Sequence, residues 1–220
     1  MLRLASSSPR RAALLRLLDI PFEAAAPNVD ESHVASPARA KADAVARPGE
    51  VTLAADTEID VDGERIGKPT DASHAVAMLA SLSGREHEVR TEVTVVGATG
   101  AHMYFTVRSR VTLRELSLRQ IDRYVAGGEA LDKAGAYAIQ GEGRRLVESY
   151  DGCLANITGL PLCHVYFALR RAGVVPRERP EIACQAHFDF ACPVWRAAQR
   201  QGRALHSDAE YRSWSEDLSE

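Results

Sequence analysis

The fold is decided first at the N-terminus, by the stretch Leu2-Arg3-Leu4-Ala5-Ser6-Ser7-Ser8-Pro9-Arg10-Arg11. The alternation of leucine and arginine predicts a short β-strand that ends in the serine run. Ser8 is suited to be a helix N-cap, and Pro9 suits the first helical position because its missing N–H would have no partner there. Several leucines follow and predict a helix with a broad apolar face. The chain therefore begins as a strand, a turn and a helix.

Helical and strand patterns then alternate along the first 173 residues. Serine, aspartate and proline before apolar runs indicate helix starts, and an Asp-Gly pair indicates a hairpin. These signals predict helices starting near Ser36-Pro37, Asp71, Ser117 and Pro161, strands over residues 51–55, 89–95 and 107–113, and a turn at Asp62-Gly63. The mixture predicts an α/β fold with a mixed twisted sheet flanked by helices, rather than a uniform βαβ array.

The composition changes after Gly173. Residues 174–180 are rich in proline, arginine and glutamate, as is typical of a linker. Residues 181–220 hold both tryptophans, two of the cysteines and an acidic tail, which leaves two alternatives: a packed C-terminal appendage or a partly ordered extension. The sequence therefore predicts one domain over residues 1–173 and a C-terminal extension of unknown role over residues 174–220.

The overall composition, with 45% hydrophobic and 26% charged residues, is that of an ordinary soluble globular protein. The formal net charge is −3, whereas a protein that wraps nucleic acid usually has a basic excess. No stretch approaches the roughly 20 apolar residues that span a bilayer, and Ser6 comes too early for the apolar core of a signal peptide. We therefore expect a cytoplasmic protein that binds neither a nucleic acid polymer nor a membrane.

The serine turn (residues 6–8) is suited to bind an anion. The N-terminus of the following helix offers backbone N–H groups and the positive end of the helix dipole, and the hydroxyls are further donors. Arg10 and Arg11 lie in the first helical turn, where a cation opposes the dipole unless an anion is bound nearby. On this segment alone, a capped helix with solvated arginines remains the alternative.

Asp56 follows the predicted buried strand, where α/β sheets usually place ligand groups. A turn or N-cap aspartate is the alternative interpretation. Glu58 and Asp60 come two and four residues later and would share a face with Asp56 if the strand continued. Because three neighbouring carboxylates repel one another, that arrangement calls for solvent or for a hard cation such as Mg²⁺.

Three other patterns are less informative. Residues 63–69 imitate a Walker A loop, but one residue is missing between the glycines and Pro69 replaces the magnesium-binding Ser/Thr, so only Lys68 retains the ability to reach a phosphate. Residues 132–141 are polar and punctuated by glycine, and by themselves predict only a loop. A zinc site is disfavoured because the candidate ligands match no established spacing; they are Cys184, His187, Cys192 and His206.

An ordered set of segments carries a resemblance to a known family. The segments are Leu4-Ala5-Ser6-Ser7-Ser8-Pro9-Arg10-Arg11, Val29-Asp30-Glu31, Ala40-Lys41-Ala42, Ala55-Asp56-Thr57, Gly67-Lys68-Pro69, Leu82-Ser83-Gly84, Leu131-Asp132-Lys133-Ala134-Gly135-Ala136-Tyr137, Ile139-Gln140-Gly141 and Gly159-Leu160-Pro161-Leu162. Each is weak alone, but in this order they resemble the Maf family of nucleoside triphosphate pyrophosphatases, which implies a Maf/ITPase-like fold.

The resemblance implies a hydrolase that acts on an acid anhydride, converting a nucleoside triphosphate to the monophosphate and pyrophosphate. Such enzymes clear unwanted nucleotides from the pool and have been linked to arrest of cell division. Arg10, Thr57 and Gln140 match the branch that acts on dTTP and UTP, so a pyrimidine or modified pyrimidine nucleotide is the expected substrate. Two alternatives remain: a pyrophosphatase for a modified purine triphosphate such as 7-methyl-GTP, and a weakly active nucleotide-binding regulator of cell division.

The resemblance also assigns roles to individual residues. Asp56 matches the family's proton acceptor. Glu31 and Asp56 are also the best-placed candidates to hold a divalent metal cation, Mg²⁺ or Mn²⁺, against phosphate oxygens, which leaves three alternatives for Asp56: base, metal ligand or both. The predicted substrate-binding residues are Ser6, Ser8, Arg10, Arg11, Lys41, Thr57, Lys68, Lys133 and Gln140. Family members are commonly homodimers, so a homodimer is the expected assembly. Glu58 and Asp60 depart from the pattern, because the family usually has apolar residues there.

Overall fold

The computed structural model describes residues 1–31 and 34–204. Its strands are β1 (Leu2–Ala5), β2 (Phe22–Ala25), β3 (Val51–Val61), β4 (Glu64–Ile66), β5 (Glu86–Val96), β6 (His102–Leu113) and β7 (Val147–Asp151). Its helices are α1 (Pro9–Arg16), α2 (Pro37–Val45), α3 (Ala72–Leu82), α4 (Leu118–Ala126), α5 (Leu154–Thr158), α6 (Leu162–Arg171), α7 (Pro180–Phe188) and α8 (Trp195–Ala204). Short 3₁₀ turns cover Ala134–Ala136 and Gly141–Leu146.

The strands form a mixed sheet with the order β2-β1-β3-β5-β6-β7, and β4 pairs with β3. Strand β1 is parallel to both β2 and β3, whereas β4 runs antiparallel to β3 and β7 antiparallel to β6. This confirms the predicted α/β class with a mixed sheet. The predicted helix starts are also confirmed: Ser8, Ser36 and Asp71 accept backbone hydrogen bonds as N-caps.

The chain divides into two compact units that are interleaved in sequence. Among the described residues, the first unit contains 1–31, 34–56, 91–107 and 153–204, and the second contains 57–90 and 108–152. Strands β3, β5 and β6 each pass from one unit into the other.

In the first unit, helices cover both faces of the strands. Leu4 and Leu53 lie in a core that includes leucines of α1 and α6. Their neighbours Ala5 and Ala54 pack with Ala42 of α2 in a separate cluster. Because successive side chains of a strand point to opposite faces, α2 lies on one face, and α1 and α6 lie on the other.

In the second unit, α3 and α4 pack against each other. Each of these helices buries one apolar face, as expected from its spacing of apolar residues; the buried residues are Ala75, Met78, Leu79, Leu82, Ile121, Tyr124 and Val125. The hairpin between β3 and β4 turns at Asp62 and Gly63, which both have positive φ. The predicted Asp-Gly turn is therefore confirmed.

The described part of the C-terminal segment is helical and packed. Helices α7 and α8 contact α6, Cys184 of α7 belongs to the first unit's core, and Ala198 of α8 is buried. Up to residue 204 the structure thus favours the packed alternative, while the domain boundary after Gly173 stays a prediction. No helix in residues 1–31 or 34–204 is long and apolar enough to cross a bilayer.

Candidate active site

The serine turn joins β1 to α1 and is closed by its own hydroxyls. Ser6 Oγ accepts from the backbone N–H of Ser8 at 3.1 Å, and Ser8 Oγ accepts from the N–H of Arg11 at 3.5 Å as the N-cap. A hydroxyl that accepts a hydrogen bond still carries a proton of its own. Both serines therefore remain able to donate to an anion at the N-terminus of α1.

Arg11 is fixed across this turn. Its Nε donates to the carbonyl of Gly159 at 3.1 Å and its Nη1 to Ser6 Oγ at 3.5 Å. Burial lowers the pKa of the guanidinium, and the nearby carboxylates of Asp56 and Glu31 oppose that shift. The serine turn, Arg11 and these two carboxylates therefore share one electrostatic environment within the first unit.

Lys41 joins the two carboxylates directly. Its Nζ lies 2.6 Å from Asp56 Oδ1 and 2.8 Å from Glu31 Oε2. The residue is 8% exposed, on the face of α2 that also buries Ala38 and Ala42. A buried ammonium is costly unless it is paired, so these contacts explain how a lysine is accommodated there. Glu31, Lys41 and Asp56 together are called the Lys41 triad below.

Asp56 lies in the middle of β3, not at its end. The prediction that the strand stops at residue 55 was wrong, because β3 continues to Val61. Beyond Asp56 the side chains of Ile59 and Val61 are buried, and the strand is held by antiparallel pairing to β4. The polar residues that suggested a strand end are the half-exposed face of a continuing strand.

The three carboxylates of β3 do not form a cluster. Asp56 contacts Lys41, Glu58 lies 3.5 Å from an Arg65 guanidinium nitrogen, and Asp60 Oδ1 accepts from the N–H of Gly63 at 2.9 Å. Among the described residues, no group of three or more His, Cys, Asp or Glu side chains is placed to hold a metal ion. The alternative of one hard cation shared by all three carboxylates is therefore not supported, because each carboxylate has its own partner.

The other predicted substrate-binding residues belong to the second unit. Lys68 is exposed just after β4, and its neighbour Gly67 accepts through its carbonyl from the N–H of Gly135 at 3.0 Å. Lys133 donates to the carbonyl of Glu129 at 3.0 Å and pairs with the adjacent Asp132. Gln140 is half-buried directly before a 3₁₀ turn. Thr57 is the first residue of this unit.

The segment around Gln140, residues 134–143, is more than the plain loop that its sequence indicates. Tyr137 and Ile139 are buried, and Tyr137 Oη lies 2.7 Å from His87 Nε2. Burial lowers the pKa of His87 to about 4, so the ring is neutral near pH 7. Sequence reasoning missed this pair; the positive φ at Gly135 and Gly141 was signalled only by the glycines themselves.

Three of the four zinc-ligand candidates, Cys184, His187 and Cys192, lie in the part of the chain that the structure describes. Cys184 is buried in the core and Cys192 is half-exposed, both as free thiols, and burial raises the pKa of each thiol rather than favouring a thiolate. His187, at the end of α7, is exposed. His206 lies outside the described residues. Nothing in residues 1–31 and 34–204 gathers three such ligands.

Comparison with known proteins gives consistent results. A family model described as Maf-like protein matches residues 1–172. A dTTP/UTP pyrophosphatase of Myxococcus xanthus is 46% identical over 185 residues, covering 79% of this chain and 93% of that protein. A dTTP/UTP pyrophosphatase of Symbiobacterium thermophilum is 47% identical over 173 residues, covering 72% of this chain and 87% of the relative.

A similar solved structure is the nucleoside-triphosphatase, or dITP/XTP pyrophosphatase, of Mycobacterium abscessus. It is 19% identical, with a TM-score of 0.35, and the alignment covers 52% of this chain and 75% of the other. That likeness is too distant to carry a conclusion.

Proposed function

This chain belongs to the Maf-like protein family, and from that membership we propose that it is a nucleoside triphosphate pyrophosphatase. It hydrolyses a nucleoside triphosphate to the monophosphate and pyrophosphate, with dTTP and UTP as preferred substrates. The preference is supported by relatives of 42–47% identity that are named dTTP/UTP pyrophosphatases, and by Arg10, Thr57 and Gln140.

The observation that carries the proposal is the Lys41 triad beside the serine turn. The same unit holds donors for phosphate oxygens and a half-buried carboxylate, that of Asp56. The donors are Ser6, Ser8, Arg11 and the N-terminus of α1. Positioned donors and cations stabilise the charge that develops in phosphoryl chemistry. Arg10, in the first turn of α1, is assigned to bind the same phosphate groups.

Asp56 is assigned the role of proton acceptor. Lys41 contacts its Oδ1, and Oδ2 is the oxygen that takes a proton from the attacking water. The water oxygen forms a bond to the α-phosphorus. The bond from that phosphorus to the oxygen that bridges the α- and β-phosphates breaks, and pyrophosphate leaves with the electron pair. Thr57, Lys68, Lys133 and Gln140, all in the second unit, remain predicted substrate-binding residues.

The donor set of the triad fits a divalent cation. Mg²⁺ is usually bound by one or two carboxylates together with substrate phosphates, rather than by an all-protein cage. Glu31 and Asp56 supply two carboxylates, bridged by Lys41. They would hold Mg²⁺ or Mn²⁺, which supplies charge neutralisation on the phosphates when bound. We further propose a cytoplasmic homodimer.

A pyrophosphate-release assay over a nucleotide panel, with and without Mg²⁺ and Mn²⁺, tests the reaction, substrate and cofactor together. We expect turnover of dTTP and UTP that depends on the added metal. A preference for 7-methyl-GTP would overturn the substrate assignment. Saturable nucleotide binding without turnover would overturn the enzymatic assignment and favour a nucleotide-binding regulator of cell division.

A further inference from the structure

Gln140 lies between two backbone amides that are held by side chains from outside its loop. On one side, the N–H of Ala138 donates to Tyr124 Oη at 3.1 Å. On the other side, the N–H of Gly143 donates to Glu129 Oε2 at 2.9 Å. Tyr124 belongs to α4, and Glu129 follows that helix by three residues.

Tyr124 and Glu129 are also joined to each other. The Tyr124 hydroxyl hydrogen-bonds to the Glu129 carboxylate, and burial, reinforced by this bond, raises the pKa of the phenol. The tyrosine is only 7% exposed, and a neutral hydroxyl both accepts and donates. One chain of hydrogen bonds thus crosses the base of residues 134–143, and it runs from Ala138 through Tyr124 and Glu129 to Gly143.

Two glycines of this segment, Gly141 and Gly143, lie where a Cβ atom would be too close to Tyr124 or Glu129. A Cβ at Gly143 would lie 2.8 Å from Tyr124 Oη and 2.2 Å from the carbonyl of Ala138. A Cβ at Gly141, which has φ +66°, would lie 2.2 Å from Glu129 Oε1. The backbone that follows Gln140 therefore approaches Tyr124 and Glu129 so closely that a side chain at Gly141 or Gly143 would force its neighbours to shift.

We propose that Tyr124 and Glu129 are positioning residues for Gln140, and that through it they set the preference of the enzyme for pyrimidine over purine triphosphates. The inference rests on the proposed function, in which Gln140 selects the nucleotide. Small misplacements of a substrate-contacting group weaken its interaction, and the loss of either anchor releases one flank of the segment. The Lys133 contact uses the backbone carbonyl of Glu129, so replacing the Glu129 side chain leaves that contact available.

The test uses Tyr124→Phe and Glu129→Gln in the full chain, with kcat and KM measured for dTTP, UTP and GTP. We expect kcat/KM for dTTP and UTP to fall by about tenfold, through KM, with kcat and the values for GTP little changed. The two effects should not add in the double variant, because both residues belong to one chain of hydrogen bonds. Tyr104→Phe and Glu148→Gln, at exposed positions, are the matched controls and should keep the wild-type preference.

A readout independent of turnover is the hydrogen exchange of the Ala138 and Gly143 amides, which we expect to accelerate in Tyr124→Phe and Glu129→Gln respectively. An unchanged pyrimidine preference in both variants, or an equal fall in kcat for every nucleotide, overturns the proposal. If the wild type releases no pyrophosphate, the proposed function fails separately, and the preference is then taken as the ratio of dTTP to GTP binding affinities. The same expectations apply to that ratio.

Discussion

The serine turn of the first unit and residues 134–143 of the second are both held by hydrogen bonds, but the side chains that accept from their backbone amides lie at different distances in the sequence. In the serine turn, Ser6 and Ser8 accept from amides only two and three residues away. In the second loop, Ala138 and Gly143 donate to side chains that are each fourteen residues away, and Tyr137 contacts His87 fifty residues away.

This difference suggests a division of roles. The first unit concentrates the charged groups suited to phosphate and proton transfer, whereas the anchored loop of the second unit is suited to holding one polar side chain, Gln140, in a fixed place. On this division, changes to the charged groups of the first unit affect turnover of every nucleotide, and changes to the anchored loop of the second affect nucleotide preference. The following predictions test this division.

The largest effect is expected for Asp56→Asn. Without a proton acceptor, kcat should fall by about 10²–10⁴-fold for all nucleotides alike, while the amide oxygen of asparagine can still face Lys41 and preserve the fold. Steady-state assays over the nucleotide panel, together with a thermal melt, check this. Asp151→Asn, at an exposed aspartate paired with Arg110, is the control. A wild-type rate in the Asp56 variant would remove it from the chemistry.

The parts of the molecule that sequence predicts well are those whose signals are local. Ser8, Ser36 and Asp71 cap helices through amides three residues ahead, and Asp62-Gly63 turns a hairpin on its own backbone preference. The candidate residues Arg11 and Asp56 were likewise identified from their immediate surroundings and from the family resemblance.

The parts that were missed depend on distant partners. Strand β2, which is not fully buried, has no clear alternation of apolar residues and exists because it pairs with β1. The second half of β3 has the polar residues typical of a strand end, and it continues as a strand because it pairs with β4. The contacts of Tyr124 and Glu129 with residues 134–143 have no local signal either, because each joins residues that are fourteen positions apart in the sequence.

The second prediction concerns acid sensitivity, which each unit is expected to show through one buried histidine. Burial lowers the pKa of His87 to about 4 and that of His164 to about 3, from 6.5. Because the folded pKa lies below the unfolded one, this stability is present above pH 6.5 and is lost as the pH falls towards those values. We expect His87 to contribute up to about 3 kcal/mol to the loss of unfolding free energy by pH 4.

Urea unfolding at a series of pH values checks this contribution. His87→Gln should flatten the fall between pH 6.5 and 4, and His164→Gln, in the first unit, should flatten it over a wider range. An unchanged slope in His87→Gln would show that this ring is not held neutral beside Tyr137.

The third prediction compares two glycines with positive φ in the second unit. Gly141 and Gly128 have φ of +66° and +79°, but only at Gly141 would a Cβ meet another group, Glu129 Oε1. Both alanine variants carry a backbone cost of about 1–2 kcal/mol, and Gly141→Ala should cost about 1–3 kcal/mol more through the collision. Urea unfolding of both variants measures the difference. Equal costs would mean that Glu129 moves aside freely, which would weaken its role as an anchor.

The smallest effect is expected at the two acidic residues of β3 that lie in the second unit. Glu58 pairs with Arg65 and Asp60 caps the amide of Gly63, so neither carboxylate is directed to a metal shared with Asp56. Glu58→Gln combined with Asp60→Asn should therefore leave the Mg²⁺ and Mn²⁺ titration midpoints of turnover within about twofold. Glu31→Gln, within the Lys41 triad, is the comparison and should raise them. Equal shifts in the two variants would place the metal along β3 and end the division between the units.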